Sequence, residues 1–373
     1  IRWRVNAMRM PCVGWVVPAV SAAWLVACGG STPSPPAAPT APAEDWFVER
    51  AAAAGLDFVH FNGMSGEYYY PEIMAPGVAL LDYDRDGDLD VYLVQGQMLG
   101  AGKTLDAATY PPAALPLRDR LFRNDLGAGE GDGARTLRFT DVTGGSGIDI
   151  RTYGMGLAVG DIDNDGFDDI YRTGLAEGVL LHNNGDGTFS DITAESGVAN
   201  AGGWSVSAAF LDIDRDGRLD LYVGNYLNYS LDGDIDCLSV AGRSDYCPPN
   251  SYRAQPDRLY RNLGNRRFAD ITGRALLGGA YGPALGVSTA DFDGDGWPDV
   301  AVDSAETSEV RVLRGGPRGP AAAIPVPVGT MPYFRLGVGD VIGEKHPEVI
   351  VPGHGDNTVR AVGLERGLLR SPK

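Results

Sequence analysis

Short apolar runs recur along this chain, and between them lie acidic stretches that contain glycine. Val78-Ala-Leu-Leu and Val91-Tyr-Leu-Val flank one such stretch, and Ile170-Tyr, Leu221-Tyr-Val and Val300-Ala-Val each follow another. Runs this short, rich in β-branched and aromatic residues and bounded by Gly, Asp and Asn, predict strands. No long segment repeats its apolar positions at the 3.6-residue period of a helix. The polar stretches therefore predict connections between strands, and the chain reads as all-β.

Four of these connections share one nine-residue pattern, Asp-x-Asp-x-Asp-Gly-x-x-Asp. The aspartates are Asp82, Asp84, Asp86 and Asp90; Asp161, Asp163, Asp165 and Asp169; Asp212, Asp214, Asp216 and Asp220; and Asp291, Asp293, Asp295 and Asp299. Alternate spacing turns the first three carboxylates of each loop inward. Glycine at position 6 allows a turn with positive φ. Position 7 holds Asp88, Phe167, Arg218 and Trp297, a variety that suits a ligand supplied by the backbone carbonyl. Calcium takes about 6–8 oxygens at roughly 2.3–2.6 Å, and these twenty residues are its predicted ligands, in about four sites. The loops are not EF-hands, which end in a bidentate Glu at position 12 between helices; that position is Leu93, Arg172, Val223 or Val302. For one isolated copy, a metal-free Asp/Gly hairpin turn is the simpler reading. Four copies would each incur the repulsion of clustered carboxylates, and a structural cation relieves it.

A larger repeat surrounds the loops. Phe47-Val-Glu-Arg, Phe139-Thr-Asp-Val, Phe189-Ser-Asp-Ile and Phe268-Ala-Asp-Ile precede them, and Leu121-Phe-Arg-Asn, Leu181-His-Asn-Asn and Leu259-Tyr-Arg-Asn stand before the last three of these. Successive Asp loops are 79, 51 and 79 residues apart. The unit is thus about 50 residues, with insertions in two copies, and strand-rich units of that length predict propeller blades. A decayed fifth copy runs from Gly339-Asp340 to Glu348-Val-Ile. Ile342 replaces its second ligand and Lys345 its glycine, so this unit is expected to fold without calcium.

These residues resemble the FG-GAP/VCBS repeat family, which includes the integrin α-subunit propellers. They match more closely the bacterial proteins similar to cartilage acidic protein, which often end in an ASPIC/UnbV domain. Phe58-Val-His-Phe-Asn-Gly, Tyr70-Pro-Glu-Ile-Met, Tyr246-Cys-Pro-Pro-Asn-Ser-Tyr and Asp257-Arg-Leu-Tyr-Arg-Asn carry the resemblance together with the Asp loops. It covers about residues 46–350 and implies a seven-bladed β-propeller, calcium in the blade hairpins, and a role in cell adhesion or protein interaction. The chain shows four clear copies and one decayed copy, as a truncated ring or a ring that closes differently would, and no ASPIC/UnbV segment is visible.

Arg2, Arg4 and Arg9 precede an uncharged run, Val13 to Ala27, that ends at Cys28. A basic segment, a short apolar run and small residues predict a signal peptide over 1–27. Leu25-Val-Ala-Cys28 resembles a bacterial lipobox, which would make Cys28 the lipidated first residue of the mature chain. The true start would be Met8 or Met10. A Pro/Ala-rich linker over 28–45 would tether the domain at 46–373 to its lipid anchor. These features place the protein outside the cytoplasm, in the periplasm or at the cell surface. There, Cys237 and Cys247 predict a disulfide in the second insertion.

The net charge of −18 argues against nucleic acid and against anionic membrane faces. The insertions near 97–118 and 227–256 are loops on a rigid scaffold, where binding commonly resides. Gly63-Met-Ser-Gly fails as a nucleophile elbow, and the histidines show no metal-binding spacing. Gly127-Ala-Gly-Glu-Gly-Asp-Gly is a flexible loop rather than a phosphate loop. The expectation is a calcium-stabilised lipoprotein propeller that binds a protein or glycan partner and is not an enzyme. The alternative is an exported hydrolase or lyase with its site at the channel mouth or in an insertion.

Overall fold

The computed structural model describes residues 47–126, 136–275 and 283–304 without interruption, and most positions between 307 and 369. The expected signal peptide, Cys28, the linker, the Gly127–Gly133 run, and Ile342, Glu344 and Lys345 lie outside the described residues.

Four antiparallel four-stranded meanders follow one another. The first holds β1 (Val78–Leu81), β2 (Asp90–Leu93), β3 (Arg120–Asn124) and β4 (Phe139–Asp141). The second holds β5 (Gly154–Gly160), β6 (Asp169–Ala176), β7 (Val179–Asn183) and β8 (Phe189–Asp191). In the third, β9 (Gly203–Leu211) and β10 (Asp220–Asn225) are separated from β13 (Arg258–Asn262) and β14 (Phe268–Asp270) by an insertion. That insertion carries a small hairpin, β11 (Cys237–Leu238) and β12 (Ser244–Asp245). The fourth holds β15 (Val287–Ala290), β16 (Asp299–Asp303), β17 (Glu309–Leu313) and β18 (Ile324–Pro327). After β19 (Met331–Pro332), a fifth meander runs through β20 (Gly337–Gly339), β21 (Glu348–His354) and β22 (Val359–Val362). The described residues therefore hold five such units, and the architecture is all-β and consistent with the expected β-propeller.

The first strands of consecutive units lie side by side, β1 with β5, β5 with β9, β9 with β15 and β15 with β20. They border a cavity of about 660 Å³, lined by Val78, Leu157, Ala208 and Val287 among others. The apolar cores form between blades. Leu81, Tyr92, Leu121, Ile170 and Leu181 join units one and two. Tyr171, Leu180, Leu221 and Val223 join two and three, and Tyr222, Leu259, Val300 and Leu313 join three and four. Strand side chains alternate between the two faces of a sheet, and a middle blade has a neighbour on both. Every residue of β10 and of β16 is accordingly buried.

Two buried aspartates brace the second strand of their blades, and the first also ties its blade to the next. Each stands just before a third strand, in the motif Asp-Arg-Leu-(Phe/Tyr)-Arg-Asn. Asp119 accepts from Gln95 N at 2.8 Å and from Tyr92 OH at 3.0 Å, and pairs at 3.0 Å with Arg172 of the next blade, both side chains fully buried. Asp257 repeats the arrangement with Asn225 N at 2.8 Å and Tyr222 OH at 2.7 Å.

Candidate metal centres

Each Asp loop joins the first and second strands of its blade in one register. Leu81 pairs with Asp90, Gly160 with Asp169, Leu211 with Asp220 and Ala290 with Asp299, so eight residues make every connection. The glycine at position 6 has φ of 89°, 91°, 85° and 90° in the four loops, the left-handed turn its identity predicted. Position 4 is left-handed too, at Arg85, Asn164, Arg215 and Gly294; three of these are not glycine, so sequence gave no sign of it. The position 1 carboxylate accepts from the position 6 amide in every loop, at 2.8–3.1 Å. The position 5 carboxylate accepts from the position 7 amide, at Asp88, Phe167, Arg218 and Trp297, at 2.9–3.1 Å.

These turns gather carboxylates. Oxygens of Asp82, Asp84 and Asp86 lie within 4.8 Å of one another, as do those of Asp161, Asp163 and Asp165, and of Asp291, Asp293 and Asp295. In the third loop the grouping is Asp212, Asp214 and Asp220, while Asp216 is held by Arg218 and Arg261. At least one oxygen in each loop is buried and lacks a hydrogen-bond partner: Oδ1 of Asp82 and Asp84, of Asp163, of Asp214 and of Asp291. A buried carboxylate oxygen without a partner is costly. A hard divalent cation fits this donor set, which is all oxygen and multiply charged.

The position 9 aspartate has a second role. Asp90, Asp169, Asp220 and Asp299 are at most 1% exposed. One oxygen of each accepts from the position 2 amide, at Tyr83, Ile162, Ile213 and Phe292. The other accepts from the end of the third strand or just beyond it, at Asn124, Asn183, Asn262 and Gly315. In the fifth unit Glu348 takes this place, receiving Val341 N at 2.8 Å. Burial pushes the carboxyls of Asp90 up to about 6 and those of Asp220 and Asp299 up to about 7, and it raises Asp169 as well. Position 9 therefore clamps the hairpin whatever else it ligates.

The third strand contributes what the sequence reading missed. A basic side chain precedes the clamped position and faces the loop in three units. Arg261 reaches Asp214 at 2.6 Å, Arg314 reaches Asp293 at 3.5 Å, and His182 lies 2.9 Å from Asp169 and 3.9 Å from Asp163. In the first unit Arg123 pairs instead with Asp125 at 2.7 Å. The asparagine that follows laces blades together. Asn183 Nδ2 donates to Tyr83 O of the preceding loop and Asn262 Nδ2 to Ile162 O, both at 2.8 Å. The repeated Arg-Asn or His-Asn pair was the available signal.

The opposite face is built by the segment before β1 and by both insertions. Tyr70 OH lies 2.9 Å from Tyr226 OH, and its ring stacks on Tyr252. Tyr246 OH donates to Glu72 at 2.9 Å. Glu72 is 2% exposed, and burial pushes its carboxyl up to about 7. The predicted Cys237–Cys247 disulfide is formed and staples the second insertion there. Three of the stretches that carried the family resemblance meet on this face.

Comparison with known proteins agrees with this geometry. A family model described as FG-GAP-like repeat matches residues 174–223 and 229–302. Human cartilage acidic protein 1 is 27% identical over 215 residues, covering 48% of this chain and 32% of its own length. The Xenopus tropicalis protein of that name is 28% identical over 196 residues, 43% of this chain and 30% of its own. The chain thus spans about a third of the length of these curated relatives. An Agrocybe aegerita lectin, described for its recognition of non-reducing terminal N-acetylglucosamine, aligns with a TM-score of 0.41 at 17% identity, over 81% of this chain and 66% of that one. The segments that hold the third and fourth Asp loops accordingly match FG-GAP-like repeats, in a chain similar to cartilage acidic protein 1.

Proposed function

We propose that this chain is an exported, calcium-stabilised propeller that binds a protein or glycan partner through the face opposite its Asp loops. The observation that carries the calcium reading is the same in all four loops: three carboxylates converge and at least one buried oxygen has no partner. In this reading positions 1, 3 and 5 gather around calcium in loops one, two and four and positions 1, 3 and 9 in loop three, with the remaining carboxylate and the position 7 carbonyl completing each set. The cation supplies charge compensation and rigidity, and no chemistry is asked of it. The disulfide fits an oxidising compartment, and Cys28 is proposed as the lipid anchor. The binding face is assigned to the two insertions and the segment before β1, since loops on a rigid scaffold commonly carry recognition. Tyr68 and Tyr110 are exposed there at 37% and 68%.

The test is a thermal melt of the chelated protein across a calcium titration, with magnesium as control. A saturable rise with calcium alone supports the reading; at a hundred times the dissociation constant each site adds about 2.7 kcal/mol. A folded protein whose melting point calcium leaves unmoved would sink it.

A further inference from the structure

We infer that the four Asp loops bind their cations as one coupled array; this rests on the calcium reading above. Position 4 of each loop stands between ligand positions 3 and 5, and its side chain serves the next loop. The Arg85 guanidinium lies over the Phe167 ring, 5.1 Å from its centroid. It also sits close enough to Gly166 that a Cβ there would meet it at 2.8 Å. Asn164 Nδ2 donates to Gly217 O at 2.9 Å. Arg215 Nη1 donates to Gly296 O at 2.9 Å and covers the Trp297 ring at 5.5 Å. Position 4 of loops one, two and three thus grips position 6 or 7 of loops two, three and four. Two residue types make the contact in different ways, yet it falls at the same place each time.

A second row of ties runs beneath. Position 2 of the first three loops accepts a hydrogen bond from the following blade: Tyr83 O from Asn183, Ile162 O from Asn262, and Ile213 O from Gly316 N at 3.2 Å. The contacted positions 6 and 7 are the ones whose amides hold the position 1 and position 5 carboxylates of their own loop. Ordering positions 3 to 5 in one loop therefore fixes the side chain that orders the carboxylate-holding amides of the next. Conformational entropy lost at the first loop need not be lost again at its neighbour. The coupling is reciprocal, so occupancy of loop four also favours occupancy of loop three.

The experiment is a calorimetric calcium titration of the purified full chain after chelation, against the variant Arg85→Ala/Asn164→Ala/Arg215→Ala. All three residues are exposed and none is a proposed ligand. The wild type is expected to titrate with a Hill coefficient above about 1.5, and the variant with one near 1 and a midpoint at least about fivefold higher in calcium. Arg215→Ala alone, which touches only the link between loops three and four, is expected to give the same change at smaller amplitude and covers a poorly folding triple variant. Full binding with a Hill coefficient of 1 in wild type and variants alike would overturn the coupling and leave the calcium reading standing. Absence of binding in the wild type would remove both.

Discussion

Replacing Asn262 with alanine should be among the most damaging single changes in the molecule, although its side chain touches no ligand oxygen. Its side chain is fully buried. Nδ2 donates to Ile162 O at 2.8 Å and Leu219 O at 3.0 Å, and Oδ1 accepts from Gly264 N at 2.9 Å. Truncation strands the Ile162 carbonyl in a buried site and leaves the part-buried Leu219 carbonyl and Gly264 amide without this partner. Each such group costs about 1–3 kcal/mol, so the loss is about 3–5 kcal/mol. Asn124 is the internal control. At the same place in the first unit, its Nδ2 makes one bond among the described residues, to Leu89 O at 3.0 Å, and its loss costs about 1–2 kcal/mol. Thermal melts at saturating calcium read the difference, where 1 kcal/mol is worth about 2–4 °C for a domain of roughly this size. Asn262→Ala should melt roughly 10 °C below wild type and well below Asn124→Ala. If the two variants melt within about 2 °C of each other, the asparagine does not lace the blades.

Three further outcomes follow from buried groups away from the loops. Arg172→Met leaves Asp119 charged and unpaired with both side chains at 0% exposure; urea midpoints should show a loss of about 3–5 kcal/mol, with partial recovery in Arg172→Met/Asp119→Asn. Glu72 is raised from 4.5 to about 7 by burial, against the opposing hydrogen bond from Tyr246. Between those values the folded chain holds a proton that the unfolded chain has released. The contribution of Glu72 to stability is therefore greatest near the lower value and declines as pH rises through the upper one; urea midpoints at about pH 5 and about pH 8 should differ less in Glu72→Gln than in wild type. Cys237→Ser/Cys247→Ser removes a staple worth roughly 2–3 kcal/mol, and limited proteolysis should then cut within residues 227–256 faster than in wild type.

What the sequence made legible was whatever repeats in identity. The Asp loops, their glycine, the strands on either side and the unit length of about 50 residues could all be read because the same residue types return at the same offsets. The disulfide was legible because only two cysteines remain once the amino-terminal segment is set aside. Contacts that repeat in place but change in chemistry could not be read. Arg85, Asn164 and Arg215 share a backbone conformation and a target, but not one residue identity across all three. The double duty of position 9 was hidden because a ligand and a hairpin clamp both call for a carboxylate. The fifth unit separates the two duties: the pattern there loses its second ligand and its glycine, yet keeps an acid at position 9, where Glu348 still receives the amide of Val341. Glutamate is one methylene longer and the register is unchanged, with Gly339 opposite Glu348 as Leu81 is opposite Asp90. The hairpin therefore needs its clamp without needing the cation cluster. The orphaned oxygens at positions 1 and 3 of the other four loops are then better explained by a bound cation than by the demands of the turn.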